Sequence, residues 1–365
     1  MNESEFYMKR ALELAVGGWG RTNPNPLVGA VVVKEDRIIA EGFHKGLGCA
    51  HAEVDAFSNS LQDVKGGELY VNLEPCSHYG RTPPCAKAII EAGIKKVVIA
   101  MEDPNPKVSG KGVEMLRGAG IEVVSGIMEE EAKKLNEIFI KFITRKRPFV
   151  IMKTAMTLDG KISSCNGDSK WISGESSRKY VHAIRDRAAA IMVGIHTVIT
   201  DDPSLTTRVD SGTGKDPVKI IVDAKGGIPL DSKVVRAACQ SRVIVATTSS
   251  INENKENELK NRGVEIIKAD GSDNKVDLGK LMDFLYSNEI DSVLLEGGGG
   301  LNASALEYRI VDKVMSFIAP KIIGGKDART PVEGLGIPLM ADAVKLGNIT
   351  VERYDEDVLI EGYIK

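Results

Sequence analysis

Three metal-binding side chains and one carboxylate constrain this chain more than any other feature of its sequence. His51 is followed two positions later by Glu53, and Cys76 and Cys85 each follow a proline. An imidazole and two thiolates form a typical three-ligand set for catalytic zinc, which keeps the fourth tetrahedral position open for water. A carboxylate beside that water can move its protons. The fold must therefore bring residues 51, 76 and 85 to one point.

The spacing of these residues resembles that of the zinc deaminases, which carry H-x-E followed by P-C-x-x-C. Here the first half is intact, while the second cysteine comes later, after Pro83-Pro84. One alternative is that the three side chains are ordinary buried residues. Another is a structural zinc whose fourth ligand is Cys49 or His78. We favour the catalytic site, because a closed structural site has no use for Glu53.

The composition predicts a globular protein of two domains. The chain has 365 residues, of which 42% are hydrophobic and 27% are charged, and roughly 100–200 residues per domain suggest two domains. The net charge of -3 argues against a nucleic-acid partner. The one basic cluster, Arg145-Lys146-Arg147, is interpreted as a linker. We therefore expect domains at residues 1–146 and 147–365.

The sequence also predicts a cytoplasmic location. The acidic beginning Met1-Asn2-Glu3-Ser4-Glu5 fits neither a signal peptide nor a transit peptide. No apolar run is long enough to span a bilayer, so no membrane partner is expected. Five irregularly spaced cysteines fit reduced thiols better than a disulfide framework.

In the first domain, helical and strand periodicities alternate, which predicts helices packed on a mixed or parallel sheet. His51 and Glu53 are expected in the first turn of one helix, and Cys85 in the first turn of another. Asn25 precedes the first strand of a predicted hairpin and His44 follows the second, so both are expected to face the metal site. The predicted helices are 5–16, 51–60, 84–92, 112–117 and 129–142, and the predicted strands are 27–33, 38–43, 69–73, 96–100 and 121–124.

The second domain is predicted to be another α/β unit, of the kind that binds nucleotides. A glycine run, Gly297–Gly300, stands between an apolar strand and a helix, where backbone N–H groups can approach a phosphate. Alone, such a run is weak evidence and usually marks a turn. The predicted helices are 174–187, 278–286 and 296–305, and the predicted strands are 149–155, 190–194, 218–223, 242–247, 264–267, 292–295, 313–319 and 358–363.

Several stretches together resemble one enzyme family, the bifunctional riboflavin-biosynthesis deaminase/reductases. In the first domain these are residues 25–31, His51-Ala52-Glu53 and the run from Leu73 to Cys85, whose long cysteine gap is typical of that family. In the second domain they are residues 158–161, 168–172, 201–205 and 296–298. The resemblance spans nearly the whole chain.

The resemblance implies a cytidine-deaminase-like α/β/α domain followed by a dihydrofolate-reductase-like α/β domain. The first domain would use zinc to deaminate 2,5-diamino-6-(5-phosphoribosylamino)pyrimidin-4(3H)-one. The second would use NADPH to reduce the ribosyl group of the product, 5-amino-6-(5-phosphoribosylamino)uracil, to ribityl. Glu53 would be the catalytic proton carrier and His51, Cys76 and Cys85 the zinc ligands.

The resemblance also implies two sets of binding residues. Those around the substrate are Asn25, His44, His78, Lys153, Ser169, Arg185, Leu205, Arg208 and Glu296. Those around the cofactor are Ala155, Trp171, Thr197, Asp201, Ala224, Gly298, Gly299, Gly300, Leu301, Asn302, Ala303 and Ser304. Two alternatives stay open, namely that His78 is a plain exposed turn residue and that Trp171 belongs to the core. Asp201 or Lys153 is a candidate for proton delivery in the reduction.

Three rival functions remain at this point. The first is that only one domain is active, the second is a nucleic-acid base deaminase, and the third is a zinc-stabilised binding protein without catalysis. The acidic charge balance counts against the second, and the position of Glu53 counts against the third. A homo-oligomer is expected, although the sequence does not give its number of subunits.

Overall fold

The computed structural model describes residues 2–79, 83–105, 108–210, 212 and 214–365. Its internal contacts divide the chain into two compact units, Met1–Lys146 and Arg147–Lys365. The run Gly80–Thr82, part of the motif between the two cysteines, lies outside the described residues.

The first unit is built on a five-stranded mixed sheet in the order β2-β1-β3-β4-β5. Strand β1 pairs antiparallel with β2 and β3, while β3, β4 and β5 run parallel. This confirms the predicted mixed α/β pattern. The elements are α1 (Glu3–Ala15), β1 (Gly29–Lys34), β2 (Arg37–Phe43), α2 (Ala52–Asn59), β3 (Glu68–Leu73), α3 (Cys85–Glu91), β4 (Lys96–Met101), α4 (Lys111–Gly118), β5 (Glu122–Ser125), α5 (Glu129–Leu135) and α6 (Glu137–Arg145).

The sheet of the first unit is buried on both faces because successive strand side chains point in opposite directions. Along β1, Ala30 and Val32 pack in a cluster with side chains of α2, α3 and α4. Val31 and Val33 pack on the other face, against α1, α5 and α6. Two layers of helices therefore enclose the sheet, and the helices α2 and α3 lie on the same side.

Gly42 lets α2 lie directly on strand β2. A Cβ atom at this position would stand 2.2 Å from the backbone nitrogen of Ala56 and 2.6 Å from the carbonyl oxygen of Ala52. Only a residue without a side chain permits this approach. The close packing fixes the beginning of α2, where His51 and Glu53 lie.

The second unit is built on a nine-stranded sheet in the order β10-β9-β8-β7-β11-β6-β12-β14-β13. The first seven strands of this order, from β10 through β6 to β12, are parallel to one another. Strands β14 and β13 add two antiparallel strands at one side. The elements are β6 (Phe149–Thr157), α7 (Glu175–Arg187), β7 (Ala190–Gly194), α8 (Ile195–Asp201), β8 (Val218–Val222), α9 (Lys233–Arg236), β9 (Val243–Thr247), α10 (Glu253–Asn261), β10 (Glu265–Lys268), α11 (Leu278–Ser287), β11 (Ser292–Leu295), α12 (Gly299–Glu307), β12 (Lys313–Ala319), β13 (Leu346–Tyr354) and β14 (Asp357–Ile364).

The parallel strands of the second unit bring their carboxyl ends to one edge of the sheet. Strand β11 pairs with β7 on one side and with β6 on the other, and it ends at Leu295 opposite Met152. The chain of β6 continues past this point to Thr157. Lys153 and Ala155 on β6 therefore lie beside the turn that follows β11, a position where α/β sheets commonly bind ligands.

Residues 129–142, predicted as one helix, form two helices that meet at Asn136. The Asn136 side chain is buried and occupied elsewhere: its Oδ1 accepts a hydrogen bond from the Leu27 N–H at 2.8 Å, and its Nδ2 donates to the Leu27 carbonyl at 3.0 Å. The backbone of Asn136 leaves helical geometry, with φ -102° and ψ 21°. The single-helix prediction was wrong because this tertiary contact competes with helix continuation.

Four elements of the second unit were not predicted: α8, α9, α10 and β13. Helix α10 is almost entirely polar and buries only Glu256 and Leu259, so it carries no apolar period. Strand β13 is at the edge of the sheet and is mostly exposed, so it lacks the alternation of a half-buried strand. Among the described residues, no helix has the length and hydropathy needed to cross a membrane.

Candidate active sites

His51, Cys76 and Cys85 converge in the first unit, with their ligand atoms all within 4.8 Å of one another. His51 is the residue before α2, with an extended backbone and a side chain that does not cap the helix. Cys76 lies in the loop after β3, and Cys85 is the first residue of α3. The His51 Nδ1 atom is 3.1 Å from Cys85 Sγ and 3.6 Å from Cys76 Sγ.

The donor set fits zinc. Tetrahedral zinc with bonds of about 2.0–2.1 Å to nitrogen and about 2.3 Å to sulfur separates its ligand atoms by about 3.5–3.8 Å. The observed spacings of 3.1 and 3.6 Å are close to this range. Within the described residues the group has three members and includes neither Cys49 nor His78, whose side chains are exposed. A three-member group is the kind that leaves a coordination position open.

The first backbone N–H of α3 stabilises negative charge on the sulfur of Cys76. The Cys85 N–H donates to Cys76 Sγ at 3.3 Å, and the Ala86 N–H donates to the Cys76 carbonyl at 3.1 Å. Hydrogen bonds from the Cys85 thiol and from His51 lower the pKa of Cys76 to about 4. The same contact with Cys76, together with burial, raises the pKa of Cys85. The two cysteine side chains thus interact directly, and a bound cation favours the thiolate form of both.

Glu53 is buried beside this trio, with 3% of its surface exposed. Burial raises the pKa of the Glu53 carboxyl above its usual value, and this effect outweighs the opposing charge of His51. The carboxyl also lies in hydrogen-bonding contact with the Cys85 side chain. A carboxyl with a raised pKa next to a metal site is well suited both to accept and to return a proton.

Asn25 and His44 lie together, as the hairpin prediction implies. The Asn25 Nδ2 atom is 3.3 Å from His44 Nε2, and His44 Nδ1 is 3.0 Å from the Ala50 carbonyl oxygen. Burial lowers the pKa of His44, so its ring is neutral at pH 7. Because Nδ1 faces a carbonyl, it carries the proton, and Nε2 accepts from the amide of Asn25. The His44 ring packs edge-on to His51, with centroids 5.5 Å apart.

Asp55 fixes the chain on both sides of His44, a role that the sequence did not reveal. Its Oδ2 accepts from the Phe43 N–H at 3.2 Å, and its Oδ1 forms a 2.6 Å ion pair with Lys45. The carboxylate is buried and belongs to α2, the helix that begins at the metal site. The only sequence signal was its place four residues after His51, one helical turn along.

Glu74 is a second residue that sequence reasoning missed. Its buried carboxylate accepts hydrogen bonds from four backbone N–H groups at 2.9–3.3 Å, those of Asp103, Gly110, Gly112 and Val113. Two of these N–H groups, those of Gly112 and Val113, belong to the first turn of α4, where the helix dipole favours a negative charge. Glu74 thus ties the loop that leads to Cys76 to the start of α4.

Asp103 and His78 lie near each other at the edge of this loop. Burial is the main cause that raises the pKa of Asp103 to about 6, and the charge of His78 opposes the shift. The His78 side chain is exposed. The exposed position fits the turn residue that the sequence allowed, and a substrate contact for His78 stays a prediction.

In the second unit, Lys153, Arg185 and Glu296 form one partly buried ionic cluster. The Arg185 guanidinium binds Glu296 through two hydrogen bonds of 2.7 and 2.9 Å, and Lys153 Nζ is 3.7 Å from the same carboxylate. Burial disfavours the charge on Glu296, but Arg185 and Lys153 outweigh it and lower its pKa to about 2. The cluster lies just beyond the end of β11, as the topology requires.

The segment from Leu205 to Arg208 is held beside this cluster by hydrogen bonds to its backbone. Arg185 Nη1 donates to the Thr206 carbonyl at 3.1 Å, and the Arg208 N–H donates to His182 Nδ1 at 3.2 Å. Leu205 is buried and has a left-handed backbone with φ 51°. His182 was not predicted, although its position three residues before Arg185 on a helix places both on one face.

Trp171 is not a core residue, because 63% of its surface is exposed. Its ring stacks against the Arg178 guanidinium at 4.8 Å, and Lys321 Nζ donates to the carbonyls of Trp171 and Ile172 at 2.6 and 2.8 Å. Ser169 belongs to the same loop. Within the described part of the chain, Ser169 makes no hydrogen bond or ion pair with the ionic cluster.

The glycine turn after β11 leads directly into α12, as predicted, with Gly298 as its capping residue. A Cβ at Gly299 would stand 2.5 Å from the Thr330 carbonyl oxygen, whereas a Cβ at Gly300 would meet no atom within 4 Å. Thr197 Oγ1 lies 3.9 Å from the Cβ position of Gly298. An open helix N-terminus with a neighbouring hydroxyl fits a phosphate of a nucleotide cofactor.

The remaining predicted cofactor residues lie around the same sheet edge. Ala224 follows β8, and its carbonyl accepts a 2.7 Å hydrogen bond from Thr248 Oγ1. Asp201 ends α8, the helix that carries Thr197. Asn302 is buried on α12, and its Nδ2 donates to the Pro331 carbonyl at 2.8 Å. Its Oδ1 has no hydrogen-bond partner among the residues that the structure describes. Leu301, Ala303 and Ser304 lie on the same helix.

Two family models match the chain, one in each of its two units. The cytidine and deoxycytidylate deaminase zinc-binding region matches residues 1–101, and the RibD C-terminal domain matches residues 148–360. These matches cover the metal trio in the first unit and the ionic cluster and glycine turn in the second.

Relatives and solved structures match along nearly the whole chain. The riboflavin biosynthesis protein RibD of Actinobacillus pleuropneumoniae is 48% identical and covers 97% of this chain and 94% of its own length. That of Aquifex aeolicus is 46% identical, covering 97% and 96%. A diaminohydroxyphosphoribosylaminopyrimidine deaminase/5-amino-6-(5-phosphoribosylamino)uracil reductase from Thermotoga maritima has a TM-score of 0.84 at 42% identity, covering 100% and 99%. Acinetobacter baumannii RibD has a TM-score of 0.89 at 37% identity, covering 100% and 99%. The chain therefore belongs to the RibD family of riboflavin biosynthesis proteins.

Proposed function

We propose that this protein catalyses two successive steps of riboflavin biosynthesis. The unit 1–146 hydrolyses the 2-amino group of 2,5-diamino-6-(5-phosphoribosylamino)pyrimidin-4(3H)-one, and the unit 147–365 reduces the ribosyl group of the resulting 5-amino-6-(5-phosphoribosylamino)uracil to ribityl with NADPH. The observation that carries the proposal is the convergence of His51, Cys76 and Cys85 beside the buried Glu53. The ionic cluster at Glu296 supports the second activity.

In the deaminase site, zinc held by His51, Cys76 and Cys85 supplies Lewis-acid activation of water when it is bound. Glu53 accepts the proton that water loses, because its carboxyl is buried next to the ligands. It passes this proton to a ring nitrogen of the substrate. Glu53 then takes the second proton of the attacking water from the new hydroxyl group on the ring carbon and gives it to the amino group, so that the C–N bond breaks and ammonia leaves as the C=O bond forms. The ring carbon exchanges its amino group for an oxygen.

Asn25 and His44 orient the pyrimidine ring in this proposal. His44 is neutral and occupied by Ala50 and Asn25, so it holds the Asn25 amide in one orientation. The Asn25 carbonyl oxygen, which His44 does not engage, is then directed to accept a hydrogen bond from the ring.

In the reductase site, the chain's residues position the substrate and supply a proton, while NADPH supplies the hydride when it is bound. Arg185 is already paired with Glu296 and Thr206, so its role is to shape the site. The exposed Arg208 is then the cation that suits the ribose phosphate. The glycine turn from Gly298 and the helix start of α12 receive a cofactor phosphate.

The hydride is accepted by the imine form of the substrate, whose nitrogen then needs a proton. Lys153 is the proposed donor of this proton, since it lies in the ionic cluster, among the predicted substrate-binding residues. Asp201, at the end of α8, is the alternative donor. Lys153→Met is expected to lower the rate of NADPH oxidation more than Asp201→Asn does. Full reductase rates in both variants would rule out both donors.

A second copy of this chain is the proposed protein partner. Many apolar side chains between residues 322 and 351 are largely exposed, among them Ile322, Leu335, Leu339, Met340, Ile349 and Val351. Two of them lie on β13, the edge strand of the nine-stranded sheet. Exposed apolar edges of this kind typically mark protein interfaces. Sedimentation velocity should give a multiple of 39.4 kDa, and Ile349→Lys with Val351→Lys should give the monomer mass.

The cytoplasmic location stays a prediction that rests on the cysteine usage of the sequence, and cell fractionation tests it. The function itself is tested by assaying the zinc-loaded protein for ammonia release from the diamino substrate and, separately, for NADPH oxidation with the deaminated product. Release of ammonia from an RNA or DNA substrate, with none from the free nucleotide, would overturn the assignment.

A further inference from the structure

His182 lies at the reductase site but has no part in the chemistry proposed above. It is carried by α7 three residues before Arg185, on the same helix face. Its ring is half-buried, and Nδ1 accepts a 3.2 Å hydrogen bond from the backbone N–H of Arg208. A side chain placed between a helix and a substrate-contacting segment acts on that segment's position.

Helix α7 holds the segment from Leu205 to Arg208 at two points. Arg185 Nη1 binds the Thr206 carbonyl at 3.1 Å, and His182 binds the Arg208 N–H. The segment needs such restraint, because Leu205 is buried in a left-handed conformation that costs a non-glycine residue free energy. Release of either contact would let the segment relax and move Arg208.

The charges around His182 keep its ring neutral. Burial and the positive charges of Arg185, Arg208 and Lys153 lower the pKa of His182 to about 4, and the negative charge of Glu296 opposes them only in part. At pH 7 the single ring proton is therefore on Nε2, since Nδ1 accepts from Arg208. A neutral acceptor can hold the backbone N–H, whereas a protonated ring cannot.

We propose that His182 is a positioning residue of the reductase site, which holds the backbone of Arg208 so that its guanidinium faces the substrate phosphate. This inference rests on the proposed reductase function. His182 acts through Arg208 and touches neither the reacting carbon nor the cofactor. Its loss should therefore weaken binding of the phosphorylated substrate and leave hydride transfer nearly unchanged.

Three variants of the full zinc-loaded protein test this role. In His182→Asn, the side-chain oxygen can occupy the position of Nδ1 and still accept from Arg208. His182→Gln keeps an amide but places it near the position of Nε2, and His182→Leu removes every polar atom. The exposed Lys179 of the same helix supplies the control variant Lys179→Ala.

The expected result is a split between binding and turnover. In His182→Leu and His182→Gln, the KM for 5-amino-6-(5-phosphoribosylamino)uracil should rise by about 3- to 10-fold, the effect of one lost hydrogen bond. The kcat and the KM for NADPH should stay within about twofold of the wild type. His182→Asn should restore the wild-type KM, and Lys179→Ala should not change it.

Equal KM values in His182→Asn and His182→Leu would overturn the inference, and so would a change confined to the KM for NADPH. Ammonia release by the same preparations shows that the chain is folded and active in its first unit. If His182→Leu does not fold, the contrast between the Asn and Gln variants decides the question. Failure of the wild type to oxidise NADPH with this substrate would instead reject the proposed function.

Discussion

Glu53 is the single residue whose replacement should separate zinc binding from deamination. Glu53→Gln keeps the size of the side chain but removes the proton carrier, so ammonia release should fall by about a hundredfold to ten-thousandfold. Atomic absorption should find the wild-type zinc content, because Glu53 is not among the three ligands. NADPH oxidation by the second unit serves as the internal control. Loss of zinc together with activity would show that Glu53 is a ligand or a structural residue.

Glu296 should make the stability of the second unit depend on pH. Its pKa is about 2 in the folded chain, below the ordinary value of 4.5, so the ionised form stabilises the fold. That contribution, about 3 kcal/mol at most, is present above pH 4.5 and is lost as the pH falls towards 2. Urea unfolding should show wild type more stable than Glu296→Gln at pH 7. The difference should shrink between pH 4.5 and 3, and a constant difference would contradict the shift.

The candidate site residues differ in how far the sequence revealed them. His51, Glu53, Cys76 and Cys85 were predicted from residue type and spacing, because zinc chemistry limits which side chains can serve. Asp55, Glu74 and His182 were missed, since each acts through hydrogen bonds to backbone groups distant in the chain. Such contacts leave no local pattern of residue types.

At the scale of elements, Glu74 joins the Cys76 loop to the first turn of α4. Glu74→Ala leaves four backbone N–H groups, three of them buried, without their acceptor and frees this loop. Zinc affinity, measured by competition with a chromophoric chelator, should fall by about 10- to 100-fold. The exposed Glu91 of α3 offers the matched control Glu91→Ala, which should bind zinc normally. Unchanged affinity in Glu74→Ala would remove this residue from the metal site.

The start of α12 allows two neighbouring glycines to be told apart. Gly299→Ala forces a Cβ against the Thr330 carbonyl and should destabilise the unit by about 1–3 kcal/mol. In Gly300→Ala the new Cβ meets no atom within 4 Å, and alanine is more favourable than glycine within a helix. This substitution should leave stability unchanged or raise it by about 0.5–1 kcal/mol. If the space around this Cβ receives a cofactor phosphate, the KM for NADPH should still rise about tenfold in Gly300→Ala. A normal KM would place the cofactor elsewhere.

Most helices and strands followed from periodicity, and the exceptions have physical causes. The apolar strands and the helices that cover them were predicted to within a few residues, because burial imposes a clear period. Helix α10 and strand β13 are mostly exposed, so packing did not impose one. The break at Asn136 depends on a contact with Leu27, which no local window contains.

At the scale of the whole molecule, zinc removal should affect the two activities differently. Chelation should abolish ammonia release, since the three ligands no longer hold the metal, and added zinc should restore it. NADPH oxidation with the deaminated product should continue at its original rate, because the three zinc ligands belong to the first unit and the ionic cluster to the second. Far-UV circular dichroism should change little. Unfolding of the first unit on chelation would instead favour a structural zinc.

The most direct test of the central claim follows both products after the diamino substrate and NADPH are given to the protein together. Ammonia release should precede NADPH oxidation and should proceed equally well without NADPH, and the two amounts should become equal at completion. In Glu53→Gln, the diamino substrate should support almost no NADPH oxidation, while the deaminated product should support the full rate. NADPH oxidation with the diamino substrate before any ammonia appears would contradict the proposed order of the two reactions.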